Sequence, residues 1–142
     1  MTRTKRAPWR PAQFYQNEHG TVKIGDTLKY IRQKGMSSTP MRLGSGSRVA
    51  RNLDLPVWGD EVASPRLLVR KGAHTAAELR HIDRIKSADN RYPIVAYRES
   101  RTGRIFVIDG MHRLAKAWSK KRPRVRAYVL EEAELRALMA RR

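Results

Sequence analysis

The sequence predicts an α/β (α+β) fold: a small mixed sheet with flanking helices behind a basic N-terminal arm. Three observations carry that expectation. Two apolar, β-branched runs at 92–97 and 104–108 flank a Ser-Arg-Thr-Gly turn and read as a hairpin. At Gly110 the apolar period changes from that of a strand to that of a helix. A strictly alternating run at 124–130 then supplies a further strand, and a terminal helix follows it, glutamates early and arginines late, as its dipole favours.

The chain has 142 residues, enough for one domain with a modest core. Lys and Arg number 31 against 13 Asp and Glu, for a formal net charge of +18. A surplus of this size repels itself in a compact chain and favours a polyanionic partner. Nucleic acid, DNA ahead of RNA, is the expected one, with affinity that falls steeply as salt rises. No stretch pairs a basic face with a broad apolar one, so no membrane partner is expected. The absence of cysteine excludes a disulfide framework, a thiolate zinc site and a thiol nucleophile. No apolar run approaches the roughly 18 residues that cross a bilayer, and the first residues lack the apolar core of a signal peptide. The expected location is cytoplasmic, associated with the nucleoid if DNA is bound.

Residues 1–52 read as a basic, partly disordered N-terminal arm, in which only Glu18 and Asp26 oppose the scattered Lys and Arg. Residues 4–11 carry two prolines and no apolar period, the mark of an extended segment. Asp26 is placed to cap a short helix through Lys34, with Leu28 and Ile31 on one face and Gly35 ending it. The Ser-, Gly- and Pro-containing stretch that follows has linker composition. The domain proper is expected over 53–142. Its first apolar groups, Leu55–Trp58 and Leu67–Val69, are short enough for strands or buried extended segments. Thr75 and Glu78 form a capping box for a helix running to about Ala88, with Leu79, Ile82 and Ile85 on one face. The strand at Tyr92–Tyr97 admits Pro93 near its start. Leu114, Ala117 and Trp118 mark the helix after Gly110, which the basic turn Lys120-Lys121-Arg122-Pro123 breaks.

The chemistry is expected at Asp109-Gly110-Met111-His112-Arg113. A strand that hands over to a helix at a glycine gathers unpaired backbone N–H groups at the positive end of the helix dipole, a ready anion site. Glycine allows close approach of the ligand, Arg113 adds a forked grip and His112 a proton-dependent donor. On spacing alone, the same residues serve equally as a helix cap at Asp109, a turn at Gly110 and two solvent-facing side chains.

Ile94-Val-Ala-Tyr-Arg-Glu-Ser100, then Gly103-Arg-Ile-Phe-Val-Ile-Asp-Gly-Met-His-Arg-Leu-Ala-Lys-Ala117, then Val125-Arg-Ala-Tyr-Val129 together resemble the core of the ParB/sulfiredoxin superfamily. The segment entering it, Ala77-Glu78-Leu79 to Pro93-Ile94-Val95, resembles that family's helix-then-strand approach. The resemblance spans about 60 residues, roughly His74 to Glu134, and is most specific from Asp109 to Ala117. It implies a phosphate- or nucleotide-binding turn at Gly110, Met111, His112 and Arg113, with CTP or ATP as the nucleotide and Mg²⁺ as a companion ion. Ala115 and Ala117 would let the helix pack closely. In the sulfiredoxin branch the position of Met111 holds the catalytic cysteine, so sulfinic-acid repair is excluded here on chemistry. Partition proteins carry an acidic residue and an arginine where this chain has Met111 and His112. Neither their arginine-rich box nor a helix-turn-helix domain is found, and a full sliding-clamp protein is not expected.

Two functional expectations follow. The first is a nucleic-acid-binding protein with a ParB-like phosphate turn. In it Lys120, Lys121, Arg122, Arg124 and Arg126, together with Arg6 and Arg10 of the arm, hold the nucleic-acid backbone. Trp9, Phe14 and Tyr15 among the arm's basic residues suit base stacking. Alternation places Arg124 and Arg126 on one face of their strand. The second is an enzyme, a nuclease, NTPase or small-molecule phosphotransferase, using Asp109 or Glu78. As a helix cap and a capping-box partner, both carboxylates also have structural readings. His74, His81 and His112 are spaced too far apart for a metal set, and none is assigned.

Overall fold

The computed structural model describes residues 14–140. It contains two compact units, one of 14–36 with 133–140 and the other Ser37–Glu132.

In the first unit, β1 (Phe14–Asn17) and β2 (Gly20–Lys23) form an antiparallel hairpin. The Asn17 side chain accepts from the His19 N–H at 2.8 Å and closes its two-residue turn. α1 (Ile24–Lys34) follows directly and buries Ile24, Thr27 and Ile31. Lys23, with no side-chain cap, occupies the N-cap position, and Asp26 lies inside the first turn, where a carboxylate suits the dipole. Gly35 ends the helix in the left-handed conformation, its N–H donating to the Arg32 carbonyl while Met36 N–H reaches Ile31. α5 (Glu132–Ala140) contributes buried Leu135, Leu138 and Met139. Its Glu134 carboxylate accepts from both the Tyr30 hydroxyl and the Lys34 ammonium.

The larger unit is built on a four-stranded mixed sheet of β3 (Thr39–Arg42), β4 (Ile94–Arg98), β5 (Ile105–Asp109) and β6 (Arg124–Glu131), ordered β3-β6-β4-β5. β6 runs parallel to β4, and the other two pairings are antiparallel. Central β4 buries Ile94 through Tyr97. In β6, Val125 and Ala127 are buried while Arg124 and Arg126 are exposed. One sheet face carries α2 (Pro65–Arg70), α3 (Ala76–Ser87) and α4 (Met111–Ser119) around an apolar cluster that includes Leu53, Leu68, Ile85, Ile94, Val107 and Leu114. Truncating a residue such as Leu114, with no exposed surface, costs about 2–5 kcal/mol.

The helix, strand, strand, helix, strand, helix order expected from residue 74 onward is the order observed. The expected boundary after residue 52 is not. β3 pairs with β6, and Leu43, Val49, Ala50 and Asn52 lie in the interior of the larger unit. The larger unit thus begins at Ser37, and residues 14–52 contain β1, β2, α1 and β3. Asn52 shows why the connection is ordered. β5 is an edge strand, and the Asn52 amide sits against it like a strand residue, accepting from Val107 N–H at 3.0 Å and donating to the Ile105 carbonyl at 2.8 Å. Leu67–Val69 is helical, because Pro65 presets the first turn of α2 and one-sided burial of Leu68 suits a helix. Leu55–Trp58 is a chain of turns closed by Val57 N–H to Leu55 and Gly59 N–H to Pro56, from which Trp58 packs on the core.

Candidate functional site

β5 ends at Asp109, Gly110 takes φ 105° and ψ 22°, and α4 starts at Met111. That backbone is left-handed and favours glycine. Space demands glycine as well: a Cβ here would lie 2.8 Å from the Arg113 guanidinium and 2.8 Å from the Ile94 side chain. A bulge between Val95 and Ala96 offsets the register where β5 finishes, a common way to re-aim a side chain beside a site.

Arg113, one turn into α4, folds back over Gly110. Its Nη2 donates to Asp109 Oδ2 at 3.2 Å, while its Nε is buried and meets no acceptor among the described residues. Asp109 therefore pairs with Arg113 rather than capping the helix, and no side chain caps Gly110. The first intrahelical bond runs from Leu114 N–H to the Gly110 carbonyl, which leaves the N–H groups of Met111, His112 and Arg113 outside the helical ladder. Asn90 steadies this turn by donating to the Arg113 carbonyl at 2.9 Å, and Lys116 does so by donating to the Ala88 carbonyl at 2.7 Å. The amides of the first turn of α4, the positive end of that helix and the Arg113 guanidinium thus lie beside Gly110, a combination of groups that favours an oxyanion.

His112 enters a cluster that spacing did not reveal. His81 Nδ1 lies 2.9 Å from His112 Nε2, with the two rings 9° from coplanar. Both stack on the Trp58 indole, at centroid distances of 4.4 and 4.6 Å. Burial holds the His81 pKa below its ordinary value, and the charges of Arg84 and Arg80 add to the effect. His74 stands apart, its Nε2 at 3.0 Å from the Leu68 carbonyl. Helical spacing from His81 on α3 to His112 on α4 becomes visible only once those helices are known to be neighbours.

Glu78 is placed for structure rather than catalysis. Its carboxylate accepts from the N–H groups of Thr75 and Ala63 and from Lys71 Nζ, at 2.9–3.1 Å. These partners, the Ala63 amide foremost, lower its pKa to about 2. With only 2 % of the residue exposed and both oxygens engaged, it has no oxygen to offer a metal or a hydroxyl.

Lys120, Lys121 and Arg122 form an exposed turn after α4, with Lys121 at φ 58°. Arg124 and Arg126 share the exposed face of β6, as alternation predicts, and Arg42 of β3, which the sequence reading missed, stands in register with Arg124. Arg126 is tethered, its Nε and Nη2 donating to Ser38 Oγ and O at 2.8 and 2.7 Å. The nine residues of α4 separate this patch from Gly110 by about 13 Å. Arg6 and Arg10, with Trp9, lie outside the described residues.

No helix among the described residues is long and apolar enough to cross a membrane, and no group of three or more metal-ligating side chains occurs among them. The chain matches no family model, no curated protein and no solved structure.

Proposed function

We propose that this is a nucleic-acid-binding protein whose Asp109–Arg113 turn grips a phosphate, either of a nucleoside triphosphate such as CTP or ATP or of the nucleic-acid backbone, as the ParB-like pattern of its residues implies. The observation that carries the reading is the Arg113 guanidinium, laid over a left-handed glycine with a buried, unmet Nε–H. A buried donor without an acceptor costs about 1–3 kcal/mol. A phosphate oxygen at this point relieves that cost and uses the amides of the first turn of α4 as well. The exposed basic turn at Lys120–Arg122, with Arg124, supplies salt-sensitive affinity for a backbone.

Calorimetry with CTP, ATP and GTP, each with and without a DNA duplex, tests the reading. Saturable heat with at least one triphosphate, reduced in Arg113→Ala, is the expected result. Flat traces for all three, with DNA affinity unchanged by Arg113→Ala, would overturn it.

A second reading, an enzyme of phosphoryl transfer or hydrolysis, draws on the His81–His112 pair beside the same turn. With Glu78 engaged, Asp109 is the carboxylate left for Mg²⁺. It would have to share its oxygens between the ion and Arg113, and Mg²⁺ held by one carboxylate takes its other oxygens from phosphate and water. Turnover with Mg²⁺ that Asp109→Ala abolishes and Arg113→Ala weakens would establish this reading.

A further inference from the structure

At the opposite end of β5 from Gly110, a cleft of about 340 Å³ opens between the Thr102-Gly103 turn and the 3₁₀ turn at Ala50–Asp54. Its size falls within the range of small-molecule sites. The floor is ordered: Asn52 is 3 % exposed and hydrogen-bonded to β5, and Ile105 is 3 % exposed. Three arginines line it, Arg48, Arg51 and Arg104, all exposed. The carboxylate at its rim does not neutralise them, because Asp54 Oδ1 is taken by Arg66 Nε at 2.6 Å and Oδ2 by Arg66 Nη2 at 3.4 Å. Among the described residues Arg48 reaches only the Gly103 carbonyl, at 3.5 Å. Among the described residues no carboxylate pairs with any of the three guanidiniums. Phe106 and Leu55 give the same cleft an apolar wall.

Three like charges around one concavity repel one another, and an ordered concavity focuses their field. The ligand that complements both halves is anionic and carries a flat apolar group: phosphate for the guanidinium forks, a ring for the wall. We propose that this cleft is a second phosphate site, which takes a nucleotide either free or as a unit of a nucleic-acid strand. It shares no residue with the Gly110 turn and does not rest on that site's assignment.

The test uses the full chain in an Arg113→Ala background, so that the two sites separate. Binding of AMP, of a short single-stranded oligodeoxynucleotide and of adenosine is measured by calorimetry, with and without Arg51→Ala plus Arg104→Ala. Both arginines are exposed and hold no side-chain hydrogen bond or ion pair among the described residues, and circular dichroism confirms that the variant folds. A single Arg104→Ala variant stands in if the double one does not. The expected result is that AMP, the oligonucleotide or both bind in the Arg113→Ala background. The arginine substitutions should weaken that binding about tenfold or more, and adenosine should bind at least about tenfold more weakly than AMP. A response confined to AMP identifies a free nucleotide, and one confined to the oligonucleotide identifies backbone phosphate. Equal affinity with and without Arg51 and Arg104, equal affinity for AMP and adenosine, or no binding in the Arg113→Ala background overturns the second site. An Arg113→Ala substitution that changes nothing in the wild-type titration counts instead against the turn.

Discussion

His81 and His112 share a single hydrogen bond between ring nitrogens, backed on one side by Trp58. One ring must donate what the other accepts, so the pair accommodates one positive charge, and a second proton would set two N–H donors against each other. Burial already disfavours the charged form of His81, and Arg84 and Arg80 oppose it further.

The depressed His81 pKa makes stability depend on pH in one direction. Between the ordinary histidine value, about 6.5, and the lower folded-state value, the unfolded chain binds the proton more readily than the folded one. The contribution is fully present above pH 6.5 or so and is lost as pH falls through the folded pKa. Thermal unfolding followed from pH 7.5 to 5 should show a falling midpoint, and His81→Gln should flatten that slope. Parallel profiles for the two proteins would count against the coupling.

Gly110→Ala should do two kinds of damage. A left-handed alanine is strained by about 1–3 kcal/mol, and its methyl group would displace the Arg113 guanidinium from 2.8 Å. A lowered urea midpoint together with reduced triphosphate heat is expected. Gly103, also at positive φ but with only the flexible end of Arg48 nearby at 3.5 Å, serves as the control: Gly103→Ala should lower stability while leaving the heat from the Gly110 turn in place.

Glu78→Gln should destabilise the fold without removing any residue from the phosphate turn, because its carboxylate joins the start of α3 to Ala63 and Lys71. Its pKa, lowered to about 2 from 4.5, means that its contribution is complete above about pH 4.5 and disappears as pH falls toward 2. The wild type should therefore lose more of its unfolding free energy over that acid window than the variant does. Triphosphate titration at pH 7.5 should be the same for both, and a selective loss of binding in Glu78→Gln would return this residue to the site.

The capping box, the hairpin and the strand-to-helix change at Gly110 were legible because each is written within about 15 consecutive residues, where period, cap and turn chemistry act locally. What escaped was non-local. β3 consists of Thr-Pro-Met-Arg and is a strand because β6 supplies its partners. Asn52 looks like a linker residue until the open edge of β5 is beside it. The His81–His112 contact joins positions 31 residues apart, and nothing in the spacing of the histidines marks it. Glu78 was read correctly as a capping-box residue, and its further partners, Ala63 and Lys71, came only with tertiary structure.

The basic turn yields a prediction independent of every nucleotide. Lys120, Lys121 and Arg122 are exposed and lie beyond the far end of α4 from Gly110, so replacing all three by alanine should leave triphosphate binding intact. If each contacts one backbone phosphate, the slope of log affinity for duplex DNA against log salt should become shallower by up to about 3. Arg126 is a poor member for such a series, since its bonds to Ser38 make Arg126→Ala a change in how β6 meets the start of β3. Arg124, exposed and opposite Arg42, is the better fourth position, and adding Arg124→Ala should shift the slope by about one more. An unchanged slope in the triple variant would place the DNA-binding charge elsewhere on the chain.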